Sequence, residues 1–139
     1  MNNTELDISR LLSCIESLKK CYQDLKEVTD SKFQEYVEDA CIKRFEYTVE
    51  ISWKIMKRFL KLQYGKIDKE LTMNNIFRLM EGYEFISSWE KWRDYYNKIN
   101  DTSHEYNQNK AKIILNSIED LIADSQYLYD KLNKVIKND

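Results

Sequence analysis

Proline occurs nowhere in this 139-residue chain, and glycine only twice, at Gly65 and Gly82. These two residue types break helices and build tight turns, so a chain nearly without them is poor material for a many-stranded sheet and good material for long helices. The apolar residues keep the matching period. Leu11, Ile15, Leu18, Tyr22, Leu25 and Val28 recur every three or four positions, which lines one face of a helix. After the cap-type residues Thr29, Asp30 and Ser31, a second and longer stripe runs through Val37, Cys41, Phe45, Val49, Ser52, Met56, Phe59 and Gln63, and Gly65 marks its stop.

Further along, Lys66 to Leu71 reads as a polar connection with Ile67 as its one buried-type residue. Thr72 is placed to cap a short helix, Met73 to Glu81, ending at Gly82, and Ser87 or Ser88 to cap a fourth that carries Trp89, Trp92, Tyr95 and Tyr96. From Asn97 to Asn107 the periodicity gives way to Asn, Asp, Thr and Ser, whose side chains bond nearby backbone and favour turns. Asn107 then caps a last helix along Ile114, Ile118, Leu121, Ser125, Leu128, Leu132 and Val135. With no internal repeat and no linker, the pattern predicts one all-α domain over residues 1–139: an up-and-down antiparallel helical bundle of four main helices plus one short helix, the first two forming a hairpin.

Charge and cysteine usage narrow the function classes. The 22 Lys and Arg against 24 Asp and Glu leave a net charge of −2, so any nucleic-acid contact has to come from a local patch. Cys14, Cys21 and Cys41 are odd in number and lack C-x-x-C spacing, and the first ten residues have neither a basic start nor an apolar stretch. Both features predict a reduced, cytoplasmic protein. No run approaches the roughly 18–20 apolar residues of a membrane span.

His104, the single histidine, sits in the polar turn. Its ordinary pKa near 6.5 suits proton transfer at neutral pH, and a surface histidine bonding a local carbonyl is the plain alternative. One histidine cannot supply the paired Glu-x-x-His motifs of a bundle metal site, and two glycines cannot build a phosphate loop. No metal and no cofactor are therefore expected. Glu46, Glu50 and Lys54 follow one another at i, i+4 as a solvated charge ladder. The aromatic set of Phe45, Trp53, Trp89, Trp92, Tyr95 and Tyr96 serves either a core or a stacking surface for a base or a partner.

Two segments together resemble a known family. The residues Arg44-Phe45-Glu46-Tyr47-Thr48, Glu50 and Trp53-Lys54, within the run from Asp39 to Lys54, look like the Arg-Phe-Glu-Tyr-Thr-x-Glu-x-x-Trp-Lys signature of the nucleotidyltransferase substrate-binding proteins, a branch of the HEPN superfamily. In the same order along the chain, Asn100-Asp101-Thr102-Ser103-His104-Glu105-Tyr106 resembles that family's Arg-Asn-x-Thr-Ser-His-x-Tyr. The resemblance implies a homodimeric bundle encoded beside a minimal nucleotidyltransferase, which it binds. In many relatives Arg-x4-His-x-Tyr is the active site of a metal-independent ribonuclease toxin, and the neighbouring nucleotidyltransferase is the antitoxin that adds AMP to the motif tyrosine, here Tyr106 by position.

One departure bears on that chemistry: Ile99 stands where the family has arginine. A preorganised cation that stabilises charge building on a phosphate commonly contributes about 100-fold or more in rate. The expectation is therefore a substrate-binding or partner subunit of a two-component system, with Phe45, Glu46, Trp53, Lys54, Trp92 and Lys98 as binding candidates and Tyr106 as the modification or partner contact. Nucleotide and RNA are the candidate ligands. The alternative is an endoribonuclease toxin in which His104 is the acid or base, Asn100 orients the substrate, and Lys98 or Arg93 supplies the cation.

Overall fold

The computed structural model describes residues 6–100 and 108–138. In chain order the described helices are α1 (Ser9–Glu27), α2 (Ser31–Tyr64), α3 (Met73–Gly82), α4 (Trp89–Asn100), α5 (Gln108–Leu115) and α6 (Ile118–Lys137), with a single 3-10 turn at Asp68–Glu70. No strand occurs among the described residues. Local chemistry sets the boundaries. Asp30 caps α2 by accepting from the Lys32 amide at 2.9 Å, and Thr72 Oγ1 caps α3 by accepting from the Asn75 amide at 3.4 Å. Ser88 rather than Ser87 caps α4, its Oγ accepting from the Lys91 amide at 3.3 Å, while Glu81 Oε1 accepts from the Trp89 amide. Gly65 ends α2 at φ 64°, with the Lys66 amide reaching back to the Leu60 carbonyl, the left-handed closure that glycine makes without steric cost.

Side-chain pairs give the helix directions. Cys21 faces Cys41 and Ser17 bonds Arg44, so α1 and α2 run antiparallel. Lys19 with Gln126 and Tyr22 with Glu119 set α6 antiparallel to α1, and Tyr95 with Asp124 and Lys98 with Ser117 set α4 antiparallel to α6. The up-and-down all-α bundle expected from the periodicity is what forms. Its core is continuous and holds Leu11, Phe45, Phe59, Phe77, Trp92 and Leu128, all essentially sealed from solvent. Thr48, Ser52 and Ser125 are buried with them, each hydroxyl donating to the carbonyl one turn back, at Arg44, Thr48 and Leu121.

Three features differ from the sequence reading. The last helix is two, because the backbone breaks at Asn116 and Ser117: the Ser117 amide bonds the Ile114 carbonyl three residues back, and its hydroxyl donates to the Ile113 carbonyl at 2.8 Å. In the connection after α2 the buried residue is Leu71, whereas Ile67 is 58% exposed. The 3-10 turn there is held by Lys61 and Lys57; the Lys61 hydrogen bond first, then the charges of both lysines, keep the Asp68 carboxyl below its ordinary pKa. Finally, α4 runs on to Asn100, four residues into the stretch read as a polar turn, while α3 ends at Gly82 as expected and the left-handed residue beyond it is Glu84 at φ 68°.

Candidate functional site

The α2 segment that carries the family-like run spreads its residues over different environments, as 100° per residue requires. Phe45 points into the core and meets Tyr95 of α4 edge-on at 6.1 Å, and Trp92 packs against Phe77 and Tyr95. Both are sealed, with 0% and 1% exposure; they position α2 and α4 and present no face to a ligand. Glu46 is half-buried. Trp53 is half-buried on the side of α2 that meets Tyr96, 6.3 Å away in edge contact, and its indole N–H has no partner among the described residues. Lys54 is exposed and pairs with Glu50 at 3.4 Å, as the charge ladder predicts.

Lys54 also borders a cavity of about 410 Å³ between the start of α1 and the middle of α2, lined by Leu6, Asp7, Arg10, Ile51, Ile55 and Arg58 as well. Three cationic side chains and one carboxylate share that rim. Hydrogen bonds from the Ser9 side chain and then from its amide, the latter at 2.9 Å, hold the Asp7 carboxyl below its ordinary value and keep it charged. The floor is aliphatic. Such a mixture suits a ligand with an apolar body and a negatively charged group.

At the other end, α4 leads towards the motif. Ile99 packs on the core, so the side chain at the position of the family's arginine is committed to packing. The two neighbouring cations are also engaged: Lys98 Nζ donates to Ser117 Oγ at 2.6 Å, at the α5–α6 break, and Arg93 lies over the Trp89 ring at 5.1 Å while pairing with Asp94. Asn100 closes α4 with its amide donating to the Tyr96 carbonyl at 3.1 Å. His104 and Tyr106 lie outside the described residues. The structure thus brings Trp53 and Tyr96 together near the end of α4, and places Lys54 at a separate rim.

One polar pair escaped the sequence reading. Tyr95 Oη donates to Asp124 Oδ2 at 2.5 Å across α4 and α6, and Lys91 approaches the same oxygen at 3.8 Å. Burial, then the Asp124 hydrogen bond and charge, push the phenol well above its ordinary range. The available signal was Asp124 standing beside Ser125 within the apolar stripe of the last helix. Among the described residues no group of three or more potential metal ligands converges, and no helix is long and apolar enough to cross a membrane.

Comparison with known proteins agrees with this architecture. Residues 6–134 match the family model described as nucleotidyltransferase substrate binding protein like. A Haemophilus influenzae protein named probable ribonuclease HepT is 32% identical over 97 residues, which cover 67% of this chain and 65% of that relative; the chain therefore spans slightly less than two thirds of the relative's length. A solved Haemophilus influenzae structure, described as revealing the fold of a substrate binding domain of a nucleotidyltransferase, superposes with a TM-score of 0.82 at 26% identity, over 91% of this chain and 99% of that one. A Thermus thermophilus structure shares the fold at a TM-score of 0.63 and 22% identity, over 83% and 98% of the two chains. With nearly its whole length matched, the chain belongs to the nucleotidyltransferase substrate binding protein-like family.

Proposed function

We propose that this protein is the substrate-binding and partner subunit of a two-component system whose catalytic member is a separate minimal nucleotidyltransferase. The observation that carries this reading is the rim where Lys54, the last residue of the family-like run, stands with Arg10 and Arg58 over an apolar floor. That chemistry fits a phosphate-bearing substrate such as a nucleotide. The protein acts as a homodimer in this reading, and Tyr106 is the residue it offers for modification. In that step the Tyr106 hydroxyl would attack the α-phosphorus of ATP, with pyrophosphate as the leaving group.

The test is co-purification with the product of the neighbouring gene, incubation with ATP and an intact-mass measurement of this chain, with Tyr106→Phe and Lys54→Glu as controls. A stable complex is the expected result, and a gain of AMP units lost in Tyr106→Phe identifies the modified residue. A complex that forms normally but loses ATP-dependent activity in Lys54→Glu assigns the cavity to substrate. No co-migration at micromolar concentration would rule the partner role out.

A second reading, a metal-independent endoribonuclease, is favoured by the similarity to a protein named a probable ribonuclease. It is opposed by the commitment of Ile99 to the core and of Lys98 to Ser117. RNA cleavage that resists EDTA and disappears in His104→Ala would favour it over the partner role; equal cleavage by the variant would trace the activity to contamination.

A further inference from the structure

Cys21 of α1 and Cys41 of α2 meet across the first hairpin with their sulfur atoms 2.9 Å apart, closer than two unbonded sulfurs ordinarily rest. Both are free thiols on rigid helices, Cys41 fully sealed and Cys21 8% exposed. Their closeness is not incidental to a crowded thiol cluster. Cys14 is seven residues from Cys21 on the same helix, roughly 10 Å along the axis, beyond the Cα separation of about 7 Å that a disulfide can bridge. Because the hairpin is antiparallel and Cys41 is level with Cys21, Cys14 is remote from Cys41 as well.

The pair also has an entrance. Cys21, but not Cys41, lines a cavity of about 340 Å³ that opens between α1 and α2, walled by Lys20, Asp24, Phe33, Tyr36 and Arg44 among others. A small solute can therefore approach one sulfur while the other waits behind it. We propose that Cys21 and Cys41 are a peroxide-oxidisable dithiol site, in which Cys21 is the thiol that attacks the peroxide and Cys41 the resolving one.

The chemistry balances with hydrogen peroxide or an organic hydroperoxide as oxidant. Cys21 gives up its proton as its sulfur attacks the terminal peroxide oxygen; the O–O bond breaks, Cys21 becomes a sulfenic acid, and the departing oxygen takes up that proton and leaves as water or an alcohol. Cys41 Sγ then attacks the Cys21 sulfur, the S–O bond breaks, and the Cys41 proton departs with the hydroxyl as water. Two thiols and one peroxide give one disulfide and two molecules of water, or one water and one alcohol. Burial and the adjacent Cys21 thiol keep Cys41 protonated, which accords with Cys41 acting second, when the sulfenic acid is already beside it. The product closes a loop over the α1–α2 turn and so restricts the unfolded chain.

Reduced wild-type protein treated with a few equivalents of hydrogen peroxide is the experiment, followed by iodoacetamide labelling, intact mass and peptide mapping. The expected outcome is a loss of about 2 Da, one alkylatable cysteine in place of three, and a crosslinked peptide joining Cys21 to Cys41. The melting temperature rises by about 5–10 °C, and dithiothreitol reverses every change. Cys14→Ser behaves as wild type, whereas Cys41→Ser stops at a Cys21 sulfenic acid that dimedone traps. Three thiols still alkylatable after treatment, a crosslink through Cys14, or a disulfide that forms only in denaturant would each overturn the proposal.

Discussion

The Tyr95 hydroxyl on α4 is bonded to the Asp124 carboxylate on α6, and this one contact joins the helix that leads to the motif to the last helix of the bundle. A buried donor aimed at a carboxylate is worth more than a neutral pair, because the charge would otherwise lose hydration without replacement. Lys91 stays within 3.8 Å of the same oxygen, so Asp124 keeps one partner if the hydroxyl is removed. Tyr95→Phe should therefore cost about 1.5 kcal/mol of stability, read as a lower urea midpoint with unchanged slope.

The same contact sets a pH dependence. The Tyr95 pKa is raised in the folded state, first by burial and then by Asp124, so the protonated phenol stabilises the fold. That contribution is complete below the unfolded tyrosine value of about 10 and is lost as pH rises above it, because the unfolded chain releases the proton first. Tyr22 and Tyr64 are raised as well and add to the loss. Urea midpoints measured from pH 8 to 11 should fall at the alkaline end for wild type and fall less steeply for Tyr95→Phe.

The two glycines should respond in opposite directions. Gly65 sits at φ 64° with open space around it, so Gly65→Ala meets only the backbone penalty, about 1–2 kcal/mol. Gly82 is helical and equally open, and Gly82→Ala should stabilise by about 0.5–1 kcal/mol. Glu84, left-handed without being glycine, should gain from Glu84→Gly by a similar amount. Thermal melts of the three variants check the signs.

Phe45 tests whether the family-like run acts through packing. It is sealed and rests on Tyr95, and Phe45→Ala should cost about 3–5 kcal/mol. Lys54→Glu, at an exposed position of the same run, should change stability by less than about 0.5 kcal/mol. Paired denaturation curves distinguish the two roles within one stretch of helix.

The helices, the cap at Thr72, the short cap-type clusters that hold Asp30 and Ser88, and the stop at Gly65 were legible because each rests on local chemistry that a sequence displays directly; which member of each cluster caps was settled only by the fold. The break at Ser117 was not. Ile114, Ile118 and Leu121 keep their spacing of four and three straight through it, and side-chain periodicity carries no record of a serine hydroxyl competing for a backbone carbonyl. Likewise Tyr95 with Asp124, Lys98 with Ser117 and Cys21 with Cys41 are partners from different helices, fixed by rotation and register that no single stripe encodes. The rim around Lys54 was half legible: Lys54 was visible in the family-like run, while Arg10 and Arg58 join it only once α1 lies along α2.

The 34-residue α2 touches each of the other five described helices. No other helix can detach without stripping water-shielding contacts from α2, so partial openings of the bundle all converge on the same exposed surface. Backbone amides in the buried middle of α2, around Val49 to Phe59, should accordingly exchange with solvent only when the whole domain unfolds. Disturbances at the Lys54 rim, the Cys21–Cys41 contact and the α4 end thus share one mechanical shaft.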